Sequence, residues 1–335
     1  MTLPIIEDPT WTIRDSSKLD DYMACPRMYF FSHILGWKLD MPAHDLHFGT
    51  CWHEAREYQL LNGYDDVAGA YEKFITKYRE VFDPETDNIY TPKDPLGVVT
   101  ALIKFKEEKS LDLVENEVVE IDGCKMTEIS GTVPVSDTQV LYYRMDSIMR
   151  RKEDGMIFSW DHKTTSERYI NGYQWAEAFH LGIQNGTYTH CLYCLFPMDQ
   201  VLGIEFCGCG FAHLKRGSKN RPAGNHATLR RVPAFKTPEQ MNVWLWNVLD
   251  ILTDLDRDMN RLMSCSDDHT VLNSFHMNPK SCTNYRGCPY HDFCLSWTNP
   301  LQRCGEAPIG FKREFWDPSA MDTTNKMNLE WGSND

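Results

Sequence analysis

Two apolar runs, YYRMDSIMR and GMIFSWDHKTT, are joined by the charged turn Glu153-Asp154-Gly155. Alternating side chains put one face of each run into a core, which predicts a β-hairpin over about 139–150 and 156–163. The hairpin commits the chain to a sheet. It also sets lone acids, Asp146 and Asp161, among apolar neighbours. Lys163 lies two residues beyond Asp161 and so shares its face of the strand. Two half-buried carboxylates repel unless a positive charge stands between them. A divalent cation is the usual solution, since Mg²⁺ takes carboxylate oxygens and keeps water for chemistry. The lysine would then stabilise charge on a phosphate or orient the attacking water. The plainer alternative is an edge-of-strand ion pair.

The flanking pattern fills in the fold class. Residues 16–35 read as a helix capped by Ser16 or Ser17 and interrupted at Pro26. A second helix is predicted over 46–62, and two more near 65–82 and 95–113. These two form a helical insertion over 64–115. Strands follow at 117–121, 126–135 and through the hairpin, then a helix over roughly 173–195. A long hairpin pairs 201–214 with 226–233, and a helix covers about 238–264, opening at Thr237-Pro238-Glu239. The segment beyond is irregular and holds cysteines, and the tail after 315 is polar and expected to be loosely held. The order implies an α/β fold, a mixed central sheet flanked by helices, in one domain over 1–315. The 335 residues suffice for such a core. No apolar run is long enough to span a membrane, and the start, MTLPIIEDPTW, has no signal-peptide pattern. A cytoplasmic location is expected.

Two further groups match the hairpin's chemistry. FGTCWHEARE places Gly49, His53 and Glu57 four residues apart, on one face of a helix. The small residue permits close approach, and His53 is a candidate metal ligand. QNGTY places Gln184 and Tyr188 four apart, able to hold a phosphate or a base edge. The full order is G-x-x-x-H-x-x-x-E, M-D, D-x-K, Q-x-x-x-Y. It resembles the RecB-like branch of the PD-(D/E)XK nuclease superfamily over roughly residues 16–300. The resemblance implies a restriction-endonuclease-like fold, with His53, Asp146 and Asp161 as Mg²⁺ or Mn²⁺ ligands. It also implies Lys163 as the catalytic lysine and Glu57, Gln184 and Tyr188 as supporting groups beside DNA.

Twelve cysteines raise a separate question. SCTNYRGCPYHDFC carries Cys282, Cys288 and Cys294 in a C-x5-C-x5-C pattern, rich in turn formers and poor in periodicity. Such a segment calls for a staple, and three thiolates need a fourth ligand, with Cys304 nearby. Iron–sulfur members of the resembled family, among them AddB-type and CRISPR-adaptation nucleases, place their first cysteine where Cys25 stands. By that resemblance, Cys25, Cys282, Cys288 and Cys294 hold a 4Fe-4S cluster that clasps the domain's ends, and zinc is the rival metal. Cys191 with Cys194, and Cys207 with Cys209, read as core residues.

The formal charge of −14 argues against a surface coated for nucleic acid. Residues 213–236 nevertheless carry Lys215, Arg216, Lys219, Arg221, Arg230, Arg231 and Lys236 without an acid. That stretch is the candidate contact to phosphates. The resemblance implies an exonuclease at DNA ends, and with no G-x-x-x-x-G-K-S/T loop a stand-alone one is expected. Its setting would be recombination or repair, phage replication, or CRISPR-type processing, with partners from those systems. An endonuclease or resolvase would use the same residues. A cysteine-metal DNA-binding scaffold is the alternative without chemistry.

Overall fold

The computed structural model describes residues 4–5, 7–218, 220–284, 287–320 and 323–331. Its principal helices are α1 (Ser16–Ala24), α2 (His44–Asn62), α3 (Val67–Tyr78), α4 (Pro95–Glu108), α5 (Ile183–Leu195) and α6 (Pro238–Leu262). The main strands are β1 (Asn116–Val118), β2 (Thr127–Pro134), β3 (Val140–Arg151), β4 (Ile157–Ser166), β5 (Val201–Leu214), β6 (Gly224–Phe235) and β7 (Asn325–Lys326). They form one sheet in the order β7-β2-β3-β4-β5-β6, with β1 also paired to β3. β4 runs parallel to β5, and β3–β4 and β5–β6 are antiparallel, so the sheet is mixed and the protein is α/β. No helix of the described residues is long and apolar enough to cross a membrane.

The chain forms two compact units. The first comprises Met1–Met41, Gly131–Tyr143 and Gln240–Asp322; the second comprises Pro42–Ser130, Arg144–Glu239 and Thr323–Asp335.

In the second unit the predicted helices of 65–82 and 95–113 appear as α3 and α4. With α2 and β5 they share one apolar core of Phe48, Trp52, Phe74, Leu102, Cys209 and Phe211. FCGCGF works by alternation. Cys207 and Cys209 are buried, while Gly208 and Gly210 let Trp175 and Ile170 onto the strand. A Cβ would meet Trp175 at 2.2 Å from position 208 and Ile170 at 2.5 Å from position 210. The helix expected over 173–195 is broken. Tyr173–His180 ends before Leu181 and Gly182, and α5 starts afresh from Gly182 in an extended conformation. The tail expected to hang loose instead adds β7, parallel to β2 at Ile129 and Ser130. Main-chain pairing supplies that order and needs no apolar signature.

In the first unit α1 is capped by Asp15, whose carboxylate accepts the Lys18 N–H at 2.8 Å, rather than by either serine. Cys25 is extended (φ −165°) and separates α1 from Pro26–Tyr29, as Pro26 foretold. A π-helical stretch, Phe30–Ile34, follows. Its Phe31 stacks on Trp37 and Tyr290, with ring centroids 5.6 and 5.3 Å apart. α6 buries Met241, Trp244, Val248, Leu252 and Leu255, one stripe at helical spacing.

Candidate metal centre

β3 and β4 pair in register from Arg150↔Ile157 to Ser147↔Trp160. Gly155 (φ +76°) closes the turn. The next residues inward are the two acids, and here a side chain takes over from the ladder. The Asp146 Oδ2 accepts the backbone N–H of His162 at 2.6 Å. That bond holds the carboxylate between the strands and leaves Oδ1 facing α2.

α2 supplies His53, whose Nδ1 lies 3.0 Å from Asp146 Oδ1 and 3.8 Å from Glu128 Oε1. His53, Glu128 and Asp146 each offer a ligand atom within 4.8 Å of the others, the only such group of His, Cys, Asp or Glu among the described residues. Glu128 was not foreseen from the sequence. It sits in β2 with φ +43°, a left-handed conformation uncommon for a residue with a side chain. Arg144 grips its other oxygen, Oε2, from Nε at 3.0 Å and Nη2 at 2.7 Å, so Oε1 points at the histidine. The only sequence signals were an acid and an arginine at interior strand positions, the latter in R-x-D with Asp146.

Asp161 stands beside this trio rather than within it. It is 1% exposed, and its Oδ1 lies 2.8 Å from the Lys163 Nζ without a well-aligned hydrogen bond. The lysine donates instead to Gln184 Oε1 at 2.9 Å, and Gln184 Nε2 donates to the Tyr188 hydroxyl at 3.0 Å. The predicted glutamine and tyrosine thus orient the lysine. Glu57 takes hydrogen bonds from the hydroxyls of Thr127 (2.7 Å) and Thr324 (3.1 Å), tying α2 to the sheet edge. Beyond its own helix and chain neighbours, nothing among the described residues lies within 4 Å of a Cβ at Gly49.

Three buried carboxylates face two cations, Arg144 and Lys163. Burial, with the Asp146 charge, pushes Glu128 up to about 7 against the pull of His53 and Arg144. Burial also raises Asp161 to about 6, offset by Lys163 and reinforced by Asp146. Asp146 is held below the usual range despite burial, because the charge of the facing His53 outweighs it. Burial opposes the charge on His53, but Asp146 and Glu128 outweigh it and raise its pKa. Oxygen donors, one imidazole and an excess of negative charge form a set suited to Mg²⁺ or Mn²⁺. The unbonded buried Asp161 Oδ1 and His53 Nδ1 fit the same need.

The basic stretch is less free than its composition implied. Lys215 and Arg216 are exposed. Lys219 lies outside the described residues. Arg221 forms a bidentate pair with Glu167, both contacts at 2.9 Å. Arg230 donates to the carbonyls of Ile170 and Gly172. Arg231 pairs with Asp112 and Glu205, and Lys236 bonds the His180 carbonyl. The acids and carbonyls come from elsewhere in the chain, which a local charge count could not register.

In the first unit, Cys25, Cys282, Cys288 and Cys294 line one cavity of about 220 Å³ with Met28, Tyr290 and others. Asn278 donates its backbone N–H to Cys25 Sγ at 3.3 Å, and Cys288 N–H bonds the Cys282 carbonyl at 2.9 Å. Burial raises the Cys294 thiol to about 11; Arg27 lowers it and the other three thiols raise it. Cys304 lies apart, its Sγ 3.3 Å from the Leu301 carbonyl. Cys191, Cys207 and Cys209 are buried in the other unit.

No protein-family model matches this chain, and no curated protein matches it.

Proposed function

We propose that this protein is a divalent-metal-dependent nuclease of the RecB-like PD-(D/E)XK kind, hydrolysing phosphodiester bonds at DNA ends. The observation that carries the reading is the parted hairpin. It brings Asp146, Asp161 and Lys163 beside His53 and Glu128 in a buried, negatively charged corner. His53, Glu128 and Asp146 would hold the ion, with Asp161 as the adjoining carboxylate. A bound Mg²⁺ or Mn²⁺ would lower the pKa of a water and polarise a phosphoryl oxygen. Lys163 is held between Asp161 and Gln184 with its ammonium toward the acids. There it can orient the attacking water or offset charge developing on the phosphate. Arg144 keeps Glu128 aimed, and Tyr188 keeps Gln184 aimed. In-line attack would leave a 5′-phosphate and a 3′-hydroxyl, as the resemblance implies.

The four-cysteine cavity is read as the site of a structural 4Fe-4S cluster. Four thiols line this one cavity, the number a 4Fe-4S cluster takes, and the resemblance supports iron–sulfur with zinc as the rival.

The test is digestion of end-labelled linear DNA with Mn²⁺ by wild type and Lys163→Ala, both purified without oxygen. Degradation by wild type alone is expected, and the surviving label gives the polarity. If neither degrades DNA while both bind it equally, the catalytic reading fails.

A further inference from the structure

β4, which carries Asp161 and Lys163, runs on to Ser166, where the chain turns into the short helix Glu167–Ile170. A shallow cavity of about 320 Å³ opens there, lined by Ser166, Arg168, Tyr169, Gly172, Tyr173 and Gln174. The fold leaves both tyrosines uncovered: Tyr169 is 43% exposed and Tyr173 75%. By contrast, Trp175, two residues on, is 3% exposed and packs onto Gly208. Arg168 and Gln174 are exposed beside the tyrosines.

The frame of this cavity is pinned. Ser166 Oγ accepts the Tyr169 N–H at 3.3 Å. Arg221 and the Thr228 hydroxyl bond Glu167, and Arg230 holds the carbonyls of Ile170 and Gly172 at 2.6 and 3.0 Å. The arginines that do not reach outward thus build this wall. Ser166 lies three steps along the strand from Lys163, about 10 Å.

We propose that the cavity takes an unpaired nucleobase of the strand whose phosphate lies at the metal centre. Tyr173, with Tyr169 beside it, offers the ring face, and Arg168 offers charge to the backbone. The inference rests on the phosphodiesterase reading and narrows it to single-stranded or frayed ends. Bases inside a duplex already stack on their neighbours and offer no free face, whereas an unpaired base stacks on an aromatic ring whatever its sequence.

The experiment uses the full chain in EDTA, so that binding is measured without cleavage, and follows the anisotropy of a short fluorescein-labelled oligothymidylate. Tyr173→Ala should raise the dissociation constant about 5- to 150-fold, the range for loss of one base–aromatic stack. Tyr173→Phe should bind like wild type. Replacing one thymidine at a time by an abasic residue should find a position that weakens wild type but weakens Tyr173→Ala no further. Tyr173 is exposed, so the variant keeps its fold. The proposal is overturned if Tyr173→Ala and Tyr169→Ala both bind like wild type, or if a blunt duplex binds as well as the single strand. Cleavage with Mn²⁺ alongside unchanged binding by the tyrosine variants would defeat the stacking site alone. Stacking without cleavage would defeat the nuclease reading alone. Neither binding nor cleavage by wild type would defeat both.

Discussion

With no cation bound the site stores repulsion, and Asp161→Asn should release it. The Asp161 carboxyl is 1% exposed and is raised from 3.8 to about 6, chiefly by burial and then by Asp146 against the pull of Lys163. At 1.36 kcal/mol per pKa unit, keeping it ionised costs roughly 2–3 kcal/mol at neutral pH. The sign follows from linkage. A carboxyl raised in the folded state holds its proton where the unfolded chain has lost it, so stability falls as pH rises through the folded value. Glu128, raised to about 7, acts in the same direction. So does His53, whose raised pKa contributes stability that is lost as pH climbs through it. Asp146, held low, has already given its contribution by about pH 5. Metal-free protein in EDTA should therefore lose stability between about pH 5 and about pH 7, and Asp161→Asn should lose less. At about 2–4 °C per kcal/mol, the substitution should raise the Tm at pH 8 by about 5–10 °C, measured by calorimetry. Added Mn²⁺ should raise the wild-type Tm at pH 8 more than at pH 5, because its ligands must be deprotonated. A flat or rising wild-type profile, or a less stable Asp161→Asn at pH 8, would refute this account of the acids.

Other perturbations separate the parts. Glu128→Ala removes one of the three close donors, so titration calorimetry should show Mn²⁺ affinity falling about tenfold or more. Cys25→Ser takes one of four thiols from the cavity. Anaerobically purified variant should lose the iron and broad visible absorbance expected of wild type, while wild type carrying only zinc would overturn the iron–sulfur reading. Gly208→Ala forces a Cβ to within 2.2 Å of the Trp175 ring, and urea unfolding should show a loss of about 1–3 kcal/mol or more.

Strand and helix placement was legible wherever burial imposes a period. The hairpin around Gly155, the FCGCGF alternation and the apolar stripe of α6 are all written locally, because a buried face must repeat every two residues or every three to four. Breaks that depend on one residue were half legible. Pro26 announced the end of α1, but the restart of α5 at Gly182 was hidden by apolar neighbours on both sides. Asp146, Asp161 and Lys163 could be paired from the sequence, since a hairpin register converts spacing into proximity.

Proximity between distant segments was not written locally. Glu128 joins His53 only because β2 passes beside the site in a left-handed kink, gripped by Arg144. Arg221, Arg230 and Arg231 looked like a charged surface until Glu167, two carbonyls and Asp112 folded against them. The sequence by itself determined the sheet-forming core and the inventory of acids, lysine, histidine and thiols. Only the tertiary structure decided which of those groups face one another, because charge and ligand geometry depend on distances across the fold, while periodicity reports only a residue's own burial.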